Sequence, residues 1–176
     1  MYKSLEKKYI KIGILGGTFD PPHKGHLYIS KVTIKKLKLN KLIWIVTKKN
    51  PLKKKPYLNL KKRINLAKKI TFKEKKIRVK HYENKIKSAT TYKLLNYIKK
   101  KNTKMFFLIG ADNLTKFHKW YNWKKIPRIS KIIIFDRTSY SKKALNCVAS
   151  KTLDKRYWKF VNFKKINISS SKIRKI

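Results

Sequence analysis

Short runs of apolar residues alternate along this chain with longer stretches whose apolar positions recur at helical spacing. Residues 9 to 15 (YIKIGIL), 42 to 46 (LIWIV), 77 to 82 (IRVKHY), 105 to 110 (MFFLIG) and 131 to 135 (KIIIF) have the length and composition of strands, and KFVNF, 159 to 163, is a weaker sixth. Several are apolar on both faces, as strands covered by helices on both sides must be. Residues 24 to 38, 59 to 71 and 91 to 101 read as helices, with apolar stripes of Leu27, Ile34 and Leu37, then Leu60, Ile64 and Ala67, then Leu94, Leu95 and Ile98. Strand and helix in alternation predict right-handed crossovers and an α/β fold, a Rossmann-like doubly wound parallel sheet of order 3-2-1-4-5. No internal repeat, Ser/Gly-rich linker or shift in composition divides residues 1–176, so a single domain is expected, with NPLKKKPYLN (50 to 59) as a loop.

In such sheets ligands bind beyond the carboxyl ends of the strands, where strand order reverses. The residues that carry chemistry fall there. Gly16 to His26 follow strand one, Thr47 to Lys53 follow strand two, and Ser88 and Thr90 come after strand three. Gly110 to Asp112 close strand four, and Asp136 and Arg137 close strand five. In the expected order strands one and four are neighbours, so their loops would flank one crevice.

Composition sharpens this reading. Lys, Ile, Asn, Tyr and Phe, which have A/T-rich codons, dominate, and there are only five glycines, Gly13, Gly16, Gly17, Gly25 and Gly110. A glycine kept against such a bias is expected at positive φ or under a close ligand. A net charge of +43 is compatible with a polyanionic partner. The lysines are nevertheless spread along the whole chain and far outnumber the arginines that base-reading surfaces favour, so coding bias and a solvated surface account for most of them and specific nucleic-acid binding is not expected. The single cysteine, Cys147, can form no internal disulfide, and no apolar run reaches the roughly 18 residues of a membrane span. The run Ile10 to Leu15 is too short for a signal-peptide core, and a cytoplasmic location is expected. A homo-oligomer is compatible with the sequence but not specified by it.

The stretch GGTFDPPHKGH, residues 16 to 26, is neither a P-loop GxxxxGK[ST] nor a GxGxxG fingerprint. It turns through Pro21 and Pro22 into a helix start, and the spacing of three puts His23 and His26 on one face of the first turn. Free main-chain amides at a helix start already favour an anion, so two imidazoles beside them suit phosphate. A zinc site is a weaker reading, because HExxH spacing and a third ligand are lacking. His81 and His118 read as structural. Asp20 is expected to fix the turn by accepting backbone hydrogen bonds.

GGTFDPPHKGHL resembles the HxGH signature of the nucleotidyltransferase superfamily, in the form carried by bacterial nicotinate mononucleotide adenylyltransferases. NPLK (50 to 53), FFLIGADNLTKFHKWYNWKKI (106 to 126), FDR (135 to 137) and ISSSKIR (168 to 174) resemble that family's further motifs, in order and over almost the whole chain. The resemblance implies attack of the phosphate of nicotinate mononucleotide on the α-phosphorus of ATP, giving deamido-NAD and pyrophosphate in NAD biosynthesis, with magnesium arriving bound to ATP and no protein metal ligand. It implies ATP contacts at Gly16, Gly17, Thr18, Phe19, Gly110 and Asp112, catalytic roles on the phosphates for His23 and His26, and a second phosphate clamp at Ser169, Ser170, Ser171 and Arg174 on a short C-terminal helix. Asn50, Lys53, Thr90, Trp120 and Arg137 match positions that face the mononucleotide, with Trp120 stacking on the pyridine ring. Plainer readings stay open: a solvated charge for Lys53, a core aromatic for Trp120, a frayed tail for ISSSKIR.

Two features depart from the family pattern. Thr90 to Leu94 (TTYKL) replaces the usual Thr, acidic or amide residue, Thr, Leu, and only Lys175 and Ile176 follow Arg174. The first weakens the mononucleotide site, and the second leaves the clamp less buttressed. Two other functions fit less of the sequence: a pantetheine phosphate adenylyltransferase, which would not call for GADN with Trp120, and a basic nucleic-acid-binding protein.

Overall fold

The computed structural model describes residues 9–50, 55–136 and 141–161. Among them, six strands form one sheet: β1 (Ile10–Gly17), β2 (Lys41–Val46), β3 (Ile77–Lys80), β4 (Thr103–Gly110), β5 (Lys131–Phe135) and β6 (Trp158–Val161). Every adjacent pair is parallel, in the order β3-β2-β1-β4-β5-β6. The predicted order 3-2-1-4-5 is therefore observed, and the weak sixth segment extends the sheet beyond β5. The strands are joined through α1 (Lys24–Lys36), α2 (Leu60–Thr71), α3 (Glu83–Ile86), α4 (Thr91–Ile98), α5 (Ala111–Leu114), α6 (Ile126–Ile129), α7 (Ser141–Leu145) and α8 (Val148–Thr152). No helix among the described residues is long and apolar enough to cross a membrane.

Alternation along the central strands supplies two cores. Ile12 and Ile14 of β1 join Ile43 and Ile45 of β2 and Met105, Phe107 and Ile109 of β4, covered by Leu94, Leu95 and Ile98 of α4. On the opposite face Leu15, Leu42, Trp44, Val46, Leu108 and Phe135 pack against Ile29 of α1 and Ala67 of α2. Burial on both faces explains why these strands read as continuous apolar runs.

Gly13 is a packing glycine. A Cβ added there would lie 2.6 Å from Leu39 Cδ1 and 3.2 Å from Leu42 Cγ, well inside van der Waals contact. Leu39 reaches this position after Lys38 turns the chain with φ 50°. The need at Gly13 is close approach of the α1 to β2 connection to the sheet, with no ligand involved.

The observed elements differ from the predicted ones mainly at their ends. The third strand stops at Lys80, and His81 instead binds the carbonyl of Val46 through Nδ1 at 2.8 Å, turning the chain into α3, which periodicity did not reveal. A four-residue helix is too short to show a period. The third predicted helix ends at Ile98 instead of residue 101, because the chain leaves helical geometry at Lys99 and turns through Asn102, at φ 59°, into β4.

Gly13→Val should destabilise the fold by about 1–3 kcal/mol through overpacking against Leu39. A urea titration measures this, and an unchanged midpoint would show that the contact yields without cost.

Candidate active site

The turn after β1 is built around one residue with an uncommon backbone. Phe19 has φ 48°, and no described glycine has positive φ. A bulky residue in the left-handed region costs on the order of 1–3 kcal/mol. Its buried ring offsets this by stacking on Trp44 at 4.8 Å and 13° and by leaning on His26 at 4.9 Å. Phe19 thus takes the turn conformation that composition suggested for a glycine. At Gly16 an added Cβ would meet only Phe107 Cε2 at 3.8 Å, and at Gly17 only Phe19 from 3.6 Å, both ordinary contacts. Neither glycine is required by packing; what a side chain there would occupy is cavity space.

The helix that follows begins on imidazoles. His23 is the N-cap of α1; its Nδ1 accepts from Gly25 N at 3.1 Å, and His26 Nδ1 accepts from His23 N at 3.3 Å, a reciprocal capping box. The ring centroids are 3.9 Å apart. A nitrogen that accepts from an amide carries no proton, so each neutral ring holds its hydrogen on Nε2. His26 is fixed from a second side, because Trp44 Nε1 donates to Ser30 Oγ at 2.8 Å and Ser30 Oγ donates to the His26 carbonyl at 2.8 Å. The spacing of three therefore has the expected result of pairing the rings, and the structure adds that the rings themselves cap the helix.

Asp20 does more than the sequence suggested. Its buried carboxylate accepts from Tyr57 N at 2.7 Å and Leu58 N at 2.8 Å, far along the chain, so it holds a distant segment against the turn. Arg63 of α2, only 2% exposed, reaches the same place. Its guanidinium donates to the carbonyls of Thr18, Thr47 at 2.7 Å, Lys48 at 3.0 Å and Leu58 at 2.9 Å. Glu83 completes the group by accepting from Lys48 N at 3.0 Å. Burial pulls the Arg63 guanidinium below its usual range, and the Asp20 and Glu83 carboxylates push it back up.

A cavity of about 820 Å³ opens at the carboxyl ends of β1, β2 and β4, near the top of the range for small-molecule sites. Of the residues singled out in the sequence, Gly16, Gly17, Thr18, Phe19, His26, Asn50, Thr90, Gly110 and Trp120 line it. His23 does not; it is 3% exposed and its ring packs against that of His26. Asp112 is also absent from the wall, where Asn113 stands instead. Lys53, Arg137, Ser169, Ser170, Ser171 and Arg174 lie outside the described residues. Trp120 is half-buried, with edge contacts to Phe107 at 6.1 Å and Phe117 at 5.1 Å, so it serves the core and the cavity together.

Sequence reasoning missed several lining residues, among them Lys55, Lys119, Tyr57 and Tyr121. Lysine in a lysine-rich chain gives no signal of its own. Arg63 did leave one: it is an arginine three residues after Leu60 and four before Ala67, on the apolar face of its helix.

Residues 14–176 match the cytidylyltransferase-like family. The probable nicotinate-nucleotide adenylyltransferase of Pelagibacter ubique (strain HTCC1062) is 51% identical over 174 residues, covering 98% of this chain and 97% of the relative. The protein of the same description from Ruegeria sp. (strain TM1040) is 33% identical over 182 residues, covering 93% and 96%. Among solved structures, the Plasmodium falciparum nicotinic acid mononucleotide adenylyltransferase complexed with NaAD has the same fold, with a TM-score of 0.73 at 23% identity over 94% of this chain and 82% of that one. Sequence likeness over nearly the full length, together with the paired histidines and the cavity beside them, makes this chain a member of the cytidylyltransferase-like family and, within it, of the nicotinate-nucleotide adenylyltransferases.

Proposed function

We propose that this chain transfers the adenylyl group of ATP to nicotinate mononucleotide, releasing pyrophosphate and forming deamido-NAD. The observation that carries the reading is that one cavity is lined both by Gly16 to Phe19 and His26 and by Thr90 and Trp120. A phosphate-binding turn and an aromatic face are thus within one enclosed space, as joining two nucleotides requires.

A phosphate oxygen of the mononucleotide attacks the α-phosphorus of ATP, and the bond from that phosphorus to the bridging oxygen of the β-phosphate breaks as pyrophosphate leaves. Such a transfer asks the protein for position and for charge neutralisation. The amides of Gly17 to Phe19 and the Nε2 proton of His26 meet the phosphates, and His23 supports His26 through the shared cap. Ser169, Ser170, Ser171 and Arg174 supply the second clamp, and Gly110 leaves room beside the nucleotide. Asp112, which neighbours the wall residue Asn113 in α5, belongs to the ATP side. The divalent ion, magnesium in this reading, enters as part of the substrate and rides on the phosphates. The carboxylates nearest the turn, Asp20 and Glu83, are already engaged by main-chain amides, so no protein ligand is assigned to it.

Trp120 offers its face to the pyridine ring, and Asn50, Lys53 and Arg137 hold the mononucleotide, Arg137 through its phosphate. The start of α4 favours the acid over the amide. Ala89, Thr90 and Thr91 line the cavity, and no side chain among the described residues caps this helix, so its amides and positive dipole end suit a carboxylate.

Pyrophosphate release from magnesium ATP with each acceptor tests the assignment. Turnover should be strong with nicotinate mononucleotide and weaker with nicotinamide mononucleotide. Rapid turnover with phosphopantetheine and none with nicotinate mononucleotide would defeat the reading.

His23→Ala and His26→Ala should each lower kcat/KM at least about a hundredfold, His26→Ala by removing a preorganised donor and His23→Ala by releasing the cap that orients it. Each should also lower stability by about 0.5–2 kcal/mol, because each removes half of the capping box. Steady-state assays and thermal melts separate the two effects, and wild-type rates in both variants would remove the site.

Gly17→Ala should leave stability within about 0.5 kcal/mol of wild type and raise the KM for ATP. A lowered Tm with an unchanged KM would show that Gly17 serves the fold.

A further inference from the structure

We propose that Arg63, held beside Asp20 and Glu83 of the cavity wall, is a positioning residue that sets affinity for the mononucleotide from outside the cavity. This rests on the reading of the cavity given above. The fork binds carbonyls from three separate stretches: Thr18 in the turn after β1, Thr47 and Lys48 after β2, and Leu58 before α2. Asp20 ties the first stretch to the third through Tyr57 N and Leu58 N, and Glu83 ties the second to α3 through Lys48 N. Each of these stretches contributes to the cavity wall: Thr18 and Asp20, then Thr47, Lys49 and Asn50, then Lys55, Pro56 and Tyr57, with Glu83 beside them.

The physical case is one of cost and geometry. Taking a guanidinium out of water is unfavourable unless its donors and charge are met. Here the donors meet four carbonyls and the charge meets two carboxylates. None of these partners is a helix or sheet bond, so Arg63 does not complete the regular fold; it joins loops. Two bonds, to the Thr47 and Lys48 carbonyls, go to the stretch leading to Asn50, and Glu83 anchors the same stretch through Lys48 N. The imidazoles are secured separately, by their mutual cap and by the Trp44 to Ser30 to His26 chain. Loosening the Arg63 cluster should therefore spoil one binding wall while leaving the phosphate-facing ring in place. Lysine cannot substitute, because one ammonium cannot span four carbonyls in a plane.

Arg63→Lys keeps the charge and removes the fork, and Asp20→Asn keeps the shape and weakens the strap. In Arg63→Lys the KM for nicotinate mononucleotide should rise at least about tenfold, with kcat changed less than about threefold and the KM for ATP raised by a smaller factor through the lost bond to the Thr18 carbonyl. Hydrogen exchange should quicken at the amides of Lys48, Tyr57 and Leu58 and stay unchanged in α1. Should Arg63→Lys fail to fold, Asp20→Asn gives the same readouts, with faster exchange at Tyr57 and Leu58. Wild-type KM and exchange in a folded variant would overturn the proposal. So would a loss confined to Tm, active fraction or kcat, the mark of a merely structural or a catalytic residue. If the wild-type protein does not use nicotinate mononucleotide, the acceptor assignment fails while the exchange pattern still decides the role of the cluster.

Discussion

Two main-chain amides at the start of α1 donate to imidazole nitrogens, Gly25 N to His23 Nδ1 and His23 N to His26 Nδ1, and this pairing decides what the rest of the site can do. A hydroxyl or carboxylate cap would satisfy the helix equally well. An imidazole cap does a second thing: it fixes which ring nitrogen carries the proton and in which direction the remaining donor points. Helix start and proposed phosphate donor are thus one object. The ring of His26, in contact with Phe19 and Trp44, is held by packing as well as by hydrogen bonds.

That arrangement concentrates cost in one region. Asp20, His23, His26, Ser30 and Arg63 are all buried polar groups, and Phe19 holds an unfavourable backbone among them. Each is compensated by a specific partner and none by general burial. Aromatic stacking offsets the turn at Phe19, and main-chain groups meet Asp20 and Arg63. The apolar cores on the two faces of the sheet are what allow it, since they leave the loops at the carboxyl ends of the strands to be shaped by polar contacts.

The large positive charge plays a lesser part. With seven acidic residues in the whole chain, few lysines can find a carboxylate, and most exposed ones are simply solvated. The cavity wall includes three of the lysines, Lys49, Lys55 and Lys119.

Apolar periodicity determined the architecture, because a strand buried on both faces and a helix buried on one leave different repeats. From it came the strands, the helices and the parallel sheet, and, with the expected order 3-2-1-4-5, the position of the crevice and the loops that enter it. The pairing of His23 and His26 was equally legible, since a spacing of three on a helix start leaves no other arrangement. What Gly13 is for, and that Phe19 takes the left-handed turn, were decided only in three dimensions, by Leu39 and Trp44 arriving from elsewhere in the chain. The same holds for Asp20, whose partners lie at Tyr57 and Leu58, and for Arg63, whose carbonyls come from three loops. Local spacing records which face a side chain takes, and it holds no trace of a hydrogen bond to a main-chain group dozens of residues away, where any residue type offers the same carbonyl.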